Sequence, residues 1–63
     1  MHILTVPQAY DMAGAYHTDS ALERDIKFDQ FFRHHRYRVA DSVTPEILAQ
    51  CQQENLDFLI TKD

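Results

Sequence analysis

The first helix is predicted by apolar residues that recur at spacings of three and four after Thr5. Val6, Ala9, Ala13 and Tyr16 follow this spacing, which places them along one side of a helix. The segment Thr5-Val6-Pro7-Gln8 has the form of a capping box, in which the threonine hydroxyl accepts a hydrogen bond from a first-turn amide and the glutamine reaches back to the cap. We therefore predict helix 1 over about residues 6–16, with Gly14 as an alternative end.

Helix 2 is predicted to begin at a second capping box, Ser20-Ala21-Leu22-Glu23, with Thr18 or Asp19 as alternative caps. We expect this helix to extend over about residues 21–39. At about 100° per residue, its apolar side chains point in two directions. One set holds Leu22, Ile26, Tyr37 and Ala40, and the other holds Ala21, Phe28, Phe31, Phe32 and Val39. Two apolar sides require two packing partners.

Helix 3 is predicted to begin at Pro45, because proline is favoured at the first helical position, with Thr44 as its N-cap. The residue before a proline is pushed away from helical dihedral angles, which separates helix 3 from helix 2. We predict helix 3 over about residues 45–60. Most of its apolar residues fall in a sector about 120° wide, but Leu56 and Ile60 lie outside that sector.

These patterns together predict an all-α fold, a single three-helix domain over residues 1–63. A domain of this size removes only about 60% of its unfolded surface from water, and Cys51, the only cysteine, excludes an intrachain disulfide. The surplus apolar sides of helices 2 and 3 then predict a homodimer, in which two copies are intertwined or packed together. The residues predicted for the dimer interface are Phe28, Phe31, Phe32, Phe58 and Ile60.

Charge is distributed unevenly along a chain whose formal net charge is −4. Five basic residues and two acids lie between Arg24 and Arg38, a local charge of +3, whereas the remainder carries one lysine and eight acids, or −7. We predict that Arg33, Arg36 and Arg38 form an edge that binds an acidic protein surface, with a solvated helix face as the alternative. Nucleic acid is a further candidate partner, because neighbouring arginines and aromatic residues suit phosphate contact and base stacking. The acidic chain as a whole opposes that interaction.

The sequence contains no recognisable catalytic, cofactor-binding or metal-binding motif. Its histidines and Cys51 lack ligand-pair spacings such as Cys-x-x-Cys or His-x-x-x-His, and a single glycine cannot form a phosphate-binding loop. Cys51 lies on the apolar side of helix 3, where we expect a buried, inert thiol. We therefore expect no enzyme activity, no cofactor and no metal. We also expect a cytoplasmic protein, because no stretch approaches the roughly 18 apolar residues of a membrane span and no signal-peptide pattern is present.

The stretch Leu4 to Gly14, LTVPQAYDMAG, resembles the opening helix and turn of excisionase-type and MerR-type helix-turn-helix domains. This resemblance implies that helix 2 would be a recognition helix in the major groove of DNA. The acids Asp19, Glu23 and Asp25 in that region would be repelled by phosphate. The alternative function is therefore a small DNA-binding regulator that uses either this helix pair or the arginine-rich segment.

Two stretches, MHILTVPQAYDMAG and FFRHHRYRVADSVTPEILAQC, cover over half of the chain. In these stretches and in overall length, the chain resembles the small accessory proteins encoded in the exo-xis region of lambdoid bacteriophages. The resemblance implies a non-enzymatic protein made early in phage development, in the cytoplasm of the bacterial host, that influences the choice between lysis and lysogeny. It also implies action through contact with an unidentified host or phage protein. It transfers no site residues, because that family has no catalytic signature.

Overall fold

Three helices and three short strands make up the protein, and the computed structural model describes all residues 1–63. The elements follow in the order β1 (His2–Thr5), α1 (Val6–Met12), α2 (Ala21–Phe32), β2 (Tyr37–Ala40), α3 (Pro45–Gln53) and β3 (Phe58–Thr61). The predicted all-α fold is therefore wrong, and the protein has a mixed α/β fold. None of the three helices has the length and apolar composition that a membrane crossing requires.

The three helices begin where the capping residues predict. The hydroxyl of Thr5 accepts a hydrogen bond from the Gln8 amide at 3.3 Å, and the Gln8 side chain accepts one from the Thr5 amide at 2.9 Å. This reciprocal pair is the predicted capping box. Ser20 caps α2 by accepting from the Glu23 amide, and Thr44 caps α3 directly before Pro45. Local side-chain chemistry therefore decides all three helix starts.

Helices 2 and 3 end earlier than predicted, whereas helix 1 ends at the alternative given for it, Gly14. Left-handed residues close α1 and α3. Gly14 has φ 73° and Asn55 has φ 56°. After α1, the amides of Gly14 and Ala15 donate to the carbonyls of Asp11 and Tyr10, and after α3 the same pattern links Asn55 and Leu56 to Gln52 and Cys51. Both ends are Schellman motifs. The segments predicted as the last turns of helices 2 and 3 instead contain β2 and β3.

A parallel sheet of order β1-β3-β2 connects the two ends of the chain. His2 lies beside Phe58 in the β1–β3 ladder, and Tyr37 lies beside Phe58 in the β2–β3 ladder. All four residues of β3 are buried. A central parallel strand covered on both faces is expected to be continuously apolar, as Phe58-Leu59-Ile60 is.

The helices cover the two faces of this sheet unequally. Because side chains alternate along a strand, Phe58 and Ile60 point to one face, which we call the helix-pair face; they cluster there with Leu4 of β1, Ala9 of α1 and Phe32 of α2. Leu59 points to the opposite face, which we call the α3 face. Arg38, level with Leu59 in the register, contacts Gln50 of α3 and Glu54, which directly follows that helix. Cys51 is fully buried, as predicted for a core thiol.

The residues predicted for a dimer interface lie in or against the core of one chain. Phe32, Phe58 and Ile60 are buried, and Phe28 and Phe31 pack against the same cluster. The ring of Phe32 lies 4.5 Å from that of Phe28 and 5.3 Å from that of Phe58, centroid to centroid. The interface prediction assumed helical surfaces with nothing inside the chain to cover them. The sheet removes that surplus, because it supplies the second partner for the aromatic side of α2.

Candidate interaction surfaces

The predicted arginine edge is divided between two sides of the molecule. Arg33 is the C-cap of α2, which covers the helix-pair face. Arg36 lies in the connection after α2, and Arg38 belongs to β2 and points to the α3 face. The arginine-rich segment is therefore a helix end, a turn and a strand rather than one helical surface.

Two of the three arginines contact acidic residues of the same chain, Arg38 through its guanidinium and Arg36 through its main-chain amide. One guanidinium nitrogen of Arg38 contacts both carboxylate oxygens of Glu54, at 3.0 and 3.1 Å, and another contacts the Gln50 side chain at 3.2 Å. Arg36 donates from its side chain to the Glu54 carbonyl at 3.4 Å and from its amide to Asp57 at 3.2 Å. These acids reduce the positive potential that the sequence segment alone implies.

The side chain of Arg33 has a different environment. Its Nε donates to His34 at 3.4 Å, and none of its contacts is with a carboxylate. Arg33 therefore keeps an uncompensated charge at the end of α2.

His35 joins the basic segment to the core. Its Nδ1 lies 3.5 Å from Asp57, and its ring lies 5.5 Å from that of Phe31 and 5.2 Å from that of Phe58. This position makes His35 a residue that packs against the aromatic core from the connection before β2. Nowhere do three or more histidine, cysteine, aspartate or glutamate side chains form a group that could hold a metal ion.

The outer edge of β2 is an open strand edge. The carbonyls of Arg36 and Ala40 accept hydrogen bonds from the β3 side, from Asp57, Phe58 and Lys62. Because successive main-chain groups alternate in direction along a strand, the amides and carbonyls of Tyr37 and Val39 point away from the sheet. Their side chains lie on the helix-pair face and are 37% and 44% exposed. We call these residues the β2 edge.

One side of α2 lies next to the β2 edge. Leu22, Asp25, Ile26, Asp29 and Arg33 are spaced so that they share this side, which we call the α2 flank. Asp25 and Val39 line the same groove, so the flank and the edge adjoin. Leu22 is 72% exposed and Ile26 is 47% exposed. Together the α2 flank and the β2 edge form an exposed apolar surface, with Asp25 towards one end, Asp29 in the middle and Arg33 at the other end.

Sequence reasoning missed this surface, although one signal for it is present. Arg36-Tyr37-Arg38-Val39 alternates polar and apolar residues with a period of two, which is typical of a half-exposed strand. The helical interpretation instead assigned Tyr37 and Val39 to opposite sides of a continuous helix. No comparable local signal reveals that the outer edge of this strand is open, since that depends on strand order.

The outer edge of β1 is the second open edge, and Met1 and Ile3 are exposed along it. Ile3 lies level with Leu59 and so points to the α3 face. The amide of Thr5, which also points outward, already donates to Gln8 in the capping box. This edge therefore offers fewer free main-chain groups than the β2 edge.

The carboxyl ends of the strands, where open parallel sheets bind ligands, carry mainly apolar and aromatic side chains. A groove there is lined by Val6, Pro7, Tyr10, Tyr16 and Arg24. The guanidinium of Arg24 lies 5.8 Å from the Tyr10 ring centroid and donates to the Thr18 carbonyl at 3.1 Å. The Nε of Arg24 is buried without a hydrogen-bond partner. These contacts give Arg24 a role in holding the 13–20 connection against α1.

The N-terminal helix pair lacks the short turn of a helix-turn-helix motif. Residues 13–20 separate α1 from α2, whereas the turn of that motif has about 3–4 residues. The exposed surface of α2 also carries the acids Glu23, Asp25 and Asp29. A phosphate backbone would be repelled by this surface.

Comparison of the chain with protein-family models, with curated proteins and with solved structures finds no match. Functional inference therefore depends on the surfaces described above.

Proposed function

We propose that this protein is a non-enzymatic regulatory protein that acts by contact with another protein. The observation that supports this proposal is the amount of apolar surface that is exposed to solvent. Nine large hydrophobic side chains are exposed, as many as the nine residues that are buried. Four of the exposed side chains, Leu22, Ile26, Tyr37 and Val39, belong to the adjoining α2 flank and β2 edge, and an exposed apolar patch is typical of a protein-binding site.

The resemblance to accessory proteins of the phage exo-xis region supplies the biological context of this proposal. In that context the protein acts early in phage development, in the bacterial cytoplasm, and influences the choice between lysis and lysogeny. Its partner is a host or phage protein with an acidic surface.

Arg36, with Arg38 beside it, is the part of the arginine edge that we assign to this partner. The charge of Arg38 is compensated by Glu54, and that pair holds its half-buried guanidinium in place. Arg36 has only a carbonyl as the acceptor for its side chain. An incoming carboxylate can therefore bind Arg36 without breaking an ion pair, which favours an acidic partner.

The test compares affinity capture by three baits in bacteria in which phage development has been induced. The baits are the wild-type chain, Arg36→Ala and the matched control Lys27→Ala, which removes the same charge from α2. The proposal predicts a partner that wild type and Lys27→Ala recover equally and Arg36→Ala recovers about tenfold less, because a hydrogen bond to a charged group contributes about 1.5–3 kcal/mol. Circular dichroism of each bait confirms that the fold is unchanged.

The same three variants are then scored for the frequency of lysogeny. Overproduction of wild type and Lys27→Ala should shift this frequency, and Arg36→Ala should shift it less. Equal recovery and equal lysogeny with Arg36→Ala would contradict the assigned surface. Absence of any partner, together with a gel shift of DNA at physiological salt, would replace the proposal with the DNA-binding alternative.

A further inference from the structure

The free main-chain groups of the β2 edge require a partner of defined geometry. The amides and carbonyls of Tyr37 and Val39 point outward from the sheet, and no other element covers them. Such an edge is a template for another strand. A strand that pairs with it must also accommodate the α2 flank, which stands beside the edge on the helix-pair face.

We propose that the partner at this edge is a second copy of the same chain. The two β2 strands run antiparallel about a two-fold axis perpendicular to the sheet and join two three-stranded sheets into one. This inference goes beyond the proposed regulatory contact, because it needs no other protein.

The register follows from the direction of the main-chain groups. A two-fold axis perpendicular to the sheet keeps each face continuous, so the residues opposite each other must point to the same face. Only one such register pairs both residues that have outward main-chain groups. It places Tyr37 of one copy opposite Val39 of the other, and each such pair exchanges both of its main-chain hydrogen bonds. An aromatic side chain opposite a β-branched one is also a favourable cross-strand pair.

Arg38 lies at the centre of this register, opposite its own equivalent. Two arginines directly opposite each other would normally oppose pairing. Here Glu54 contacts each guanidinium through both of its oxygens, so each arginine brings its own counter-charge. The arrangement therefore leaves no uncompensated repulsion on the α3 face.

The charges on the α2 flank are complementary to those of a second copy. A short connection joins α2 to β2, so the helix runs back along the strand, and the two α2 flanks of a dimer are antiparallel to each other. The end of one flank that carries Arg33 then faces the end of the other that carries Asp25. Between them lie Ile26, which is exposed in the single chain, and Asp29, which meets its own equivalent at the two-fold axis with Arg33 one helical turn away. The two pairs of Arg33 with Asp25 outnumber this one like-charge contact, and the exposed Leu22 lies beyond Asp25. A self-complementary patch of this kind is what an isologous interface requires.

The β1 edge does not offer an equivalent surface. The outward amide of Thr5 is occupied by Gln8 at 2.9 Å, and Ile3 points to the α3 face, away from the helix pair. This difference supplies a matched control, since Ile3 and Val39 are similarly exposed on the two outer strands.

Sedimentation equilibrium of the purified chain at micromolar concentration tests the proposal. Wild type and Ile3→Lys should be dimers, and Val39→Lys should be a folded monomer, because a charged lysine on an edge strand blocks pairing. A wild-type monomer would overturn the proposal, and so would a Val39→Lys dimer. The result does not depend on any other partner, so failure here leaves the proposed regulatory contact standing.

A charge exchange tests the same interface without altering the strand. Asp25→Arg and Arg33→Asp should each weaken dimerisation by about tenfold, since two symmetric pairs are lost and each exposed pair contributes modestly. The double variant restores both pairs with reversed polarity and should return the affinity to the wild-type value. Additive weakening in the double variant would refute the contact between Arg33 and Asp25.

Discussion

Phe32 illustrates what an individual residue does in this fold. Its side chain is fully buried, and its ring contacts those of Phe28, Phe31, Tyr37 and Phe58. It therefore joins α2 to two strands of the sheet. Residue type alone indicated that the Phe32 side chain must be buried. It did not indicate that the same chain would bury it.

Replacing Phe32 with alanine should destabilise the protein by about 3–5 kcal/mol, because the change removes a large buried ring and leaves a cavity. Urea unfolding followed by circular dichroism measures the loss. The control is Met12→Ala on α1, an exposed position where the change should be within about 0.5 kcal/mol. Similar small effects for both variants would show that Phe32 is not in the core.

At the scale of the element, the helix starts and the Gly14 end of helix 1 were predictable, and the ends of helices 2 and 3 were not. Thr5, Ser20 and Thr44 act through bonds to amides three residues ahead, so a short window of sequence contains the whole interaction. Asn55 ends α3 by adopting a left-handed conformation. The helical pattern of the sequence around Asn55 does not reveal that conformation. A short apolar run such as Phe58–Ile60 also fits a buried strand or a helix equally well.

The left-handed helix ends give a prediction at this scale. Asn55→Ala should cost about 1 kcal/mol, because alanine tolerates a positive φ poorly. Asn55→Gly should be neutral or stabilising, since glycine adopts that conformation without strain. Gly14→Ala should also cost about 1 kcal/mol. The cost comes only from the positive backbone φ, because an added Cβ would meet no other atom within 4 Å.

Urea midpoints of the three variants relative to wild type check this prediction. If Asn55→Ala and Asn55→Gly are equally stable, Asn55 does not close α3 in a left-handed conformation.

At the scale of the whole molecule, strand order determines which surfaces remain open. β3, the last element in the sequence, lies between β1 and β2, so both outer edges depend on contacts between distant parts of the chain. No local pattern contains that information. The same long-range packing brings Glu54 and Asp57 beside the basic segment, which the linear charge distribution placed apart.

The candidate surfaces could be predicted only in part for the same reason. The sequence identified the arginines as a concentrated charge, but their division between two faces follows from β2 being a strand. Leu22 and Ile26 belonged to a predicted apolar side of helix 2, yet only the sheet shows that Phe28 and Phe32 take the core position. The exposed side of α2 is therefore the one with Leu22 and Ile26, whereas the predicted dimer interface used the side with Phe28 and Phe32.

The central claim is that residues 58–61 form the middle strand of a parallel sheet rather than the end of a helix. Nuclear Overhauser effects between backbone protons, measured together with Cα and Cβ chemical shifts, test it most directly. We predict extended shifts at Phe58–Thr61 and cross-strand contacts from this segment to both His2–Thr5 and Tyr37–Ala40. Helical shifts that continue from Pro45 through Ile60, without those contacts, would contradict the fold and the interaction surfaces that depend on it.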